Sequence, residues 1–197
     1  MNLIFNKNWL TQQYNNPRDI PFLFFWGHQP SKDGSITRSC FSQWWVAPFE
    51  VDGIIYQTTE HWMMAGKARL FGDEAALQAI LASETPAKAK DQGRLVRNFD
   101  PAIWDEHKYE IVVKGNLHKF TANPVLKDFL WNTYPQILVE ASPNDAIWGI
   151  GMSAENPAAR DPALWRGENL LGFALMEVRR LFKWTDTSFL PIKESNP

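Results

Sequence analysis

The stretch that decides the fold runs Thr58-Thr59-Glu60-His61-Trp62-Met63-Met64-Ala65-Gly66-Lys67-Ala68-Arg69-Leu70-Phe71-Gly72-Asp73. Threonine hydroxyls cap the unpaired N–H groups at a helix start, so Thr58 and Thr59 predict a helix that begins near Glu60 and stops at Gly72. Asp73 opens a second helix, in which Leu77, Ile80 and Leu81 share a face. Upstream, 22 to 26 (Phe-Leu-Phe-Phe-Trp) and 44 to 49 read as short strands. The second leads through Asp52-Gly53, a dipeptide suited to a tight hairpin, into Ile54, Ile55 and Tyr56. Downstream, Thr85-Pro86 and Asp100-Pro101 repeat the helix-start signal, Asn123-Pro124 marks a break, and 136 to 140 reads as a short strand. Residues 141 to 168 read as irregular backbone, where functional residues often sit. Leu171, Ala174, Leu175, Val178, Leu181 and Phe182 then recur at the spacing of a buried helix. The predicted fold is α+β: a single compact, mainly helical domain with a short N-terminal β hairpin or sheet. Residues 1–21 form an N-terminal extension, 22–184 the domain and 185–197 a tail.

Composition narrows the function. The chain has 197 residues with 45% hydrophobic and 21% charged, enough for one core and short for two. Twenty Lys and Arg against 22 Asp and Glu leave a net charge of −2, so no general basic field attracts nucleic acid or anionic lipid, and any polyanion contact is local. No apolar run approaches the roughly 20 residues that cross a bilayer, and the first ten residues lack a secretory apolar region, so a soluble, cytoplasmic protein without membrane contact is expected. One cysteine, Cys40, excludes an internal disulfide framework and a thiolate metal cluster, and the four histidines lack ligand spacing. Oligomeric state has no signature here. Ten tryptophans stand out, because indoles both fill cores and stack on planar ligands.

Two segments carry candidate chemistry. Glu60, Met63, Met64 and Lys67 fall at i, i+3, i+4 and i+7 on one helix face. An acid and a base on an apolar face are either a stripe at the edge of the core or a pocket wall. In a pocket wall, Glu60 is a catalytic carboxylate, and Lys67 is a phosphate partner or, if desolvated, an amine nucleophile. In Glu140-Ala141-Ser142-Pro143-Asn144-Asp145-Ala146-Ile147-Trp148-Gly149-Ile150-Gly151, Asp145 and Trp148 set a proton-handling group beside a stacking plane. Asn-Asp after Pro is equally ordinary turn chemistry, and Trp148 equally fills a core. The glycine spacings of phosphate loops are absent. Arg94, Lys119 and Asn169 each have a structural reading as an ion-pair partner, a solvated helix residue and an N-cap. His61 reads as a packed histidine, and Cys40 has no activating partner in the sequence.

These residues belong to a wider pattern. Phe-Trp-Gly at 25 to 27, Ser-Gln-Trp-Trp at 42 to 45, Pro-Phe at 48 and 49, and Asp-Gly at 52 and 53 come first. Thr59-Glu60-His61 through Lys67-Ala68, Leu70-Phe71-Gly72-Asp73, Gly93-Arg94 and Lys119-Phe120 follow. Glu140-Ala141-Ser142-Pro143, Asp145 with Ile-Trp-Gly-Ile-Gly at 147 to 151, Trp-x-Gly-x-Asn-Leu-Leu-Gly at 165 to 172, and Leu175-Met176 with Arg179 complete the set. Together, over about residues 22 to 182, they resemble the NADAR family. The resemblance implies a small α+β fold and N-glycosidase activity, without cofactor or metal. The bond cut joins ribose C1 to a base-like nitrogen, either in ribosylamino-pyrimidine phosphates of riboflavin biosynthesis or in ADP-ribose attached to guanine of nucleic acid. The partner is therefore a ribosyl, nucleotide-like small molecule or an ADP-ribosylated nucleic acid. The alternatives are a non-catalytic module that binds ADP-ribose or a nucleotide, and an eraser acting on ADP-ribosylated nucleic acid. Glu60 and Asp145 map onto acidic positions thought to serve the reaction, and Lys67 and Trp148 lie in the same two motifs. Trp148, with Trp26, Gly27 or Trp45, is expected to take the flat base, Arg94 and Lys119 the phosphate, and Asn169 the ribose hydroxyls.

Overall fold

The computed structural model describes residues 4–14 and 19–185. In chain order the elements are α1 (Lys7–Gln13), β1 (Phe22–Phe25), β2 (Phe49–Val51), β3 (Ile54–Tyr56), α2 (Thr59–Leu70), α3 (Glu74–Leu81), α4 (Pro86–Arg94), α5 (Pro101–Ala122), α6 (Pro124–Trp131), β4 (Ile137–Glu140) and α7 (Leu170–Thr185). Short 3-10 turns lie at Arg38–Phe41, Pro157–Arg160 and Pro162–Leu164. The helix starts follow their caps: the side chains of Thr58, Asp73, Thr85 and Asp100 accept backbone N–H groups of the first turns of α2 to α5. The α+β class read from the sequence holds, with helices dominant.

Among the described residues, three of the four strands are shorter than expected, and one of them starts much later. Residues 44 to 48 do not extend, because Ser42 folds them into a turn: its hydroxyl accepts the Trp44 N–H and its carbonyl the Trp45 N–H. The strand begins only at Phe49, and β2 pairs antiparallel with β3 around Asp52 and Gly53, both at positive φ. β1 does not join this hairpin. It pairs in parallel with β4, Phe22 opposite Ile137 and Phe25 opposite Glu140, so the helical body α2 to α6 is inserted between two strands that lie side by side. That pairing carries the C-terminal end of β4, and Glu140, to the edge of the helical body.

α2 is the central element, buried at Thr59, Glu60, His61, Met63, Met64, Ala65 and Ala68. Its neighbours approach closely because they present glycine. A Cβ on Gly93 of α4 would stand 2.1 Å from the Met64 sulfur, and one on Gly115 of α5 2.3 Å from the Trp62 ring. α7 packs its apolar face on β4 and α5, with Leu171, Phe173, Ala174, Leu175, Val178 and Phe182 buried. The segment set apart as an N-terminal extension packs as well: Leu10 is fully buried, Phe5 meets Trp9 edge to face, and the backbone N–H groups of Ile4 and Phe5 donate to Glu177 of α7. Of the tail expected at 185–197, Thr185 closes α7 and the rest lies outside the described residues. Among the described residues no helix is long and apolar enough to cross a membrane.

Candidate active site

A cleft of about 250 Å³ opens where α2, α4, the start of α5, the end of β4 and the loop after it converge. α2 contributes Glu60, Met63, Met64 and Lys67; α4 Lys90, Gly93 and Arg94; α5 Trp104. β4 and its loop contribute Glu140, Asp145, Ile147 and Trp148, α7 contributes Leu171, and the turn after the first 3-10 segment contributes Ser42, Gln43 and Trp44. The i, i+3, i+4, i+7 face of α2 is thus one wall of this cleft. Over that face α2 rises about 10 Å, which sets Glu60 and Lys67 at different depths.

The walls are fixed by backbone hydrogen bonds. The Glu60 N–H and the Thr59 hydroxyl both donate to the Gln43 carbonyl, joining the start of α2 to the Gln43–Trp44 turn. In the loop after β4, Asp145 Oδ1 accepts the N–H groups of Ile147 and Trp148, at 2.9 and 2.8 Å. Its carboxylate therefore holds the turn and lines the cleft at once. The N–H groups of Asn169, Leu170 and Leu171 donate to the carbonyls of Gly149, Ile147 and Trp148. The first turn of α7 is consumed in holding the loop, which leaves anion binding at the cleft to side chains.

The electrostatics are unusual for a wall. Glu60 is 2% exposed and its Oε1 has no hydrogen-bond partner; Glu140 Oε2 and Gln43 Oε1 are likewise buried without one. Burial lifts the Glu60 carboxyl from 4.5 to about 7; the Asp145 charge adds to this, and Lys90, a Trp44 hydrogen bond and Arg94 oppose it. Burial lifts Glu140 to about 8, with Asp145 and Glu60 both adding to the rise and Lys90 opposing it. Three carboxyl groups and two cations therefore act on one another in this cleft. Lys67 donates to the Gly93 carbonyl at 2.8 Å and lies 4.1 Å from the Phe99 ring centre, and burial lowers its pKa. Among the described residues no group of histidine, cysteine and carboxylate side chains is arranged to hold a metal ion.

Of the residues singled out in the sequence, Glu60, Lys67, Arg94, Asp145 and Trp148 meet in this cleft. Arg94 also pairs with Asp91 at 2.9 Å. The others lie elsewhere. Lys119 is fully buried, and its amine donates to the carbonyls of Cys40 at 2.6 Å and Ser42 at 3.0 Å, pinning the segment that leads into Trp44. Asn169 is fully buried at positive φ, and its side chain turns from α7 to β4, accepting the Glu140 N–H and donating to the Leu138 carbonyl. It prolongs the strand ladder and is not the side-chain helix cap that its position suggests. Trp26, 61% exposed, lines a second cleft with Arg38 and Arg160, and Gly27 follows it at positive φ. Trp45 lines a shallow depression with Ile36 and Leu126. Trp104, whose helical context suggests packing, reaches the cleft instead. Glu140, Trp44 and Lys90 also line the cleft, and the sequence alone assigns them no role. The signal for Glu140 was present, a carboxylate ending the strand at 136 to 140. Nothing local distinguishes Lys90 from other lysines of a polar helix.

His61 is held by Thr58 at Nδ1 and the Ser83 carbonyl at Nε2, as a packed histidine would be. Cys40 is buried and its thiol is pushed up to about 11, which makes it a poor nucleophile.

Known proteins resemble this chain in sequence and fold. The NADAR domain matches residues 24–183. The chain is similar to an N-glycosidase of Acanthamoeba polyphaga mimivirus, 42% identical over 163 residues that cover 80% of this chain and 94% of the relative. It is similar to N-glycosidase YbiA of Escherichia coli, 32% identical over 139 residues covering 71% of this chain and 78% of the relative. The NMR structure of the E. coli protein YbiA aligns with a TM-score of 0.64 at 28% identity, over 86% of this chain and 93% of that one. With the family match spanning most of the chain and the fold shared, the chain belongs to the NADAR family of N-glycosidases.

Proposed function

We propose that this N-glycosidase hydrolyses the N-ribosyl bond of a ribosylamino-pyrimidine phosphate, a small cytoplasmic substrate, at the cleft between α2 and the loop after β4. The observation that carries the reading is the convergence there of buried carboxyl groups with a set of cations and indoles. Cleaving the bond builds positive charge on C1 and the ring oxygen, while the departing nitrogen must gain a proton. Ionised and protonated carboxyl groups side by side meet both needs. Glu60 and Asp145 are the carboxyl groups of this cleft that stabilise the charge and orient water. Lys67, Lys90 and Arg94 line the α2 and α4 side, where a 5′-phosphate finds charge-assisted partners. Trp148, Trp44 and Trp104 offer planes for the pyrimidine. Lys67 has a second role open to it: burial lowers its pKa and so raises the share of unprotonated amine, which can attack the open-chain sugar and form a Schiff base.

The volume of the cleft, about 250 Å³, lies at the small end for ligand sites and favours this substrate over ADP-ribose on guanine. One observation favours the larger substrate: the second cleft, of about 640 Å³, takes Ala141 and Ser39 where the first takes Glu140 and Ser42. With Arg38, Arg160 and Trp26 it is suited to a distal nucleotide. Mass-spectrometric product analysis with both substrates in parallel tests the assignment. Free ribose 5-phosphate from the pyrimidine substrate is the expected product. Release only from ADP-ribosylated guanosine or DNA overturns the choice, and binding without product from either makes the chain a binding module. Borohydride trapping of a sugar adduct that disappears in Lys67→Met is the outcome of the Schiff-base route, and no adduct during turnover removes it. Activity is expected to survive EDTA; loss restored by one divalent ion would reveal a metal requirement.

A further inference from the structure

We propose that Glu140 is a third catalytic carboxyl of this cleft and the one that delivers the proton to the departing nitrogen, leaving Glu60 and Asp145 as the ionised pair. The inference rests on the N-ribosyl hydrolysis proposed above and assigns the acid within it.

The backbone of Glu140 is held from both sides. Its N–H donates to Asn169 Oδ1 at 2.9 Å, its carbonyl accepts the Ile150 N–H at 2.9 Å, and β4 is paired to β1. The side chain has the opposite character: it lines the cleft, and Oε2 is buried without a partner. A buried, unpaired carboxylate is costly, whereas a protonated carboxyl at the same place is a neutral donor waiting for an acceptor. The groups that face it make the same choice. Asp145 on the loop and Glu60 on α2 are negative neighbours that resist a further charge, and Lys90 of α4 is the cation opposing them. Glu60, by contrast, receives a Trp44 hydrogen bond and feels both Lys90 and Arg94, so of the two buried glutamates it ionises first. This ordering agrees with the higher value at Glu140, about 8 against about 7.

The step balances without a co-reactant. The C1–N bond breaks and its electron pair goes to nitrogen, which takes the Glu140 proton as that O–H bond breaks. Water forms the new C1–O bond and gives a proton to the Asp145 or Glu60 carboxylate, from which Glu140 is recharged.

The test compares wild type, Glu140→Gln and Glu60→Gln on two ribosyl 5-phosphates. One carries an amino-pyrimidine and the other 4-nitrophenolate, which leaves without a proton. In Glu140→Gln, kcat for the amine substrate should fall about 100-fold or more and the nitrophenyl substrate should stay within about 3-fold of wild type. The wild-type decline of kcat above about pH 8 should disappear. Glu60→Gln should slow both substrates, since charge at C1 develops whatever leaves. Equal losses on both substrates in Glu140→Gln, or an unchanged alkaline limb, would overturn the assignment. If the glutamine variant does not fold, Glu140→Asp must retain the alkaline limb at reduced kcat, and losing that limb would overturn it equally. Should wild type release no ribose 5-phosphate from the amine substrate, the same comparison is made on ADP-ribosylated guanosine. Absence of product from both sinks the hydrolysis reading itself, a result distinct from a wild-type limb in Glu140→Gln.

Discussion

Two clefts meet at the C-terminal end of the β1 and β4 pair, and they differ in what their polar groups lack. In the larger one, Arg38 donates to the Phe24 carbonyl at 3.0 Å and Arg160 lies over the Phe24 ring, so the cations already have partners and Trp26 stands mostly in solvent. In the smaller one, oxygens of Glu60, Glu140 and Gln43 are buried with nothing to bond. Folding tolerates such orphans rarely, since each forgoes a hydrogen bond worth about 1–3 kcal/mol, and they concentrate where a ligand supplies the missing partner. On the function proposed above, unmet buried need marks the reacting cleft more than size or exposed aromatic surface does.

The largest effect that would break this contrast lies at the small cleft. Glu60→Gln and Asp145→Asn should each lower turnover about 100-fold or more, measured as product release under saturating substrate, with the fold retained by circular dichroism. Wild-type rates in either folded variant would remove that carboxyl from the mechanism. Asp145→Asn keeps an oxygen for the Ile147 and Trp148 N–H groups, so it separates the charge from the turn it also holds.

The helices and their caps were legible because they depend on neighbours in sequence: Thr58, Asp73, Thr85 and Asp100 act within three residues of themselves. The candidate site is legible where it lies on one such helix, as Glu60 and Lys67 do. It is not legible where a partner is distant. The turn at Ser42 replaces the strand expected over 44 to 49, and its carbonyl is held by Lys119 from α5. Asn169 looks like a cap until β4 is placed beside it. Trp44 and Trp45 are adjacent, yet only the first reaches the cleft, and the Ser42 turn that separates them is pinned by Lys119, far along the chain.

Lys119 gives the next effect in size. Lys119→Met keeps a side chain of similar length but strips the buried Cys40 carbonyl of its donor and leaves the Ser42 carbonyl with the Trp45 N–H alone. Thermal unfolding should show a loss of about 2 kcal/mol or more, some 4–8 °C at this chain length. Because the pinned segment leads to Trp44, KM should rise more than kcat falls. An unchanged Tm would mean that the segment holds itself.

Stability against pH sharpens the same point. Glu60 and Glu140 keep their protons to about 7 and about 8, while an unfolded glutamate loses its proton near 4.5. Between those values the native state binds more protons than the unfolded state, so stability falls as pH rises through this window. His61, whose pKa burial lowers, works against the trend near pH 6.5, and Lys119, pushed down to about 8, adds stability only between about 8 and 10.5. Melting temperature should therefore decline by a few degrees from pH 5 to pH 8, and Glu140→Gln or Glu60→Gln should flatten the decline. A wild-type profile that rises over this range would show that the carboxyl groups are paired and not orphaned.

The smallest effect belongs to the large cleft and decides what it is for. Trp26→Ala with Arg38→Ala removes its exposed plane and one cation without touching the orphaned oxygens across the strand end. Turnover of a ribosylamino-pyrimidine phosphate should stay within about 2-fold, since in the proposed placement that substrate ends at Lys67, Lys90 and Arg94. A distal nucleotide on ADP-ribosylated guanosine would lose a stacking plane and a charged contact together, about 1–3 kcal/mol, a KM rise of about 5- to 150-fold. Equal, small changes on both substrates would leave the second cleft without a part in binding. A large change on the small substrate would show that the two clefts work as one site, and the distinction between met and unmet polar groups would no longer locate the chemistry.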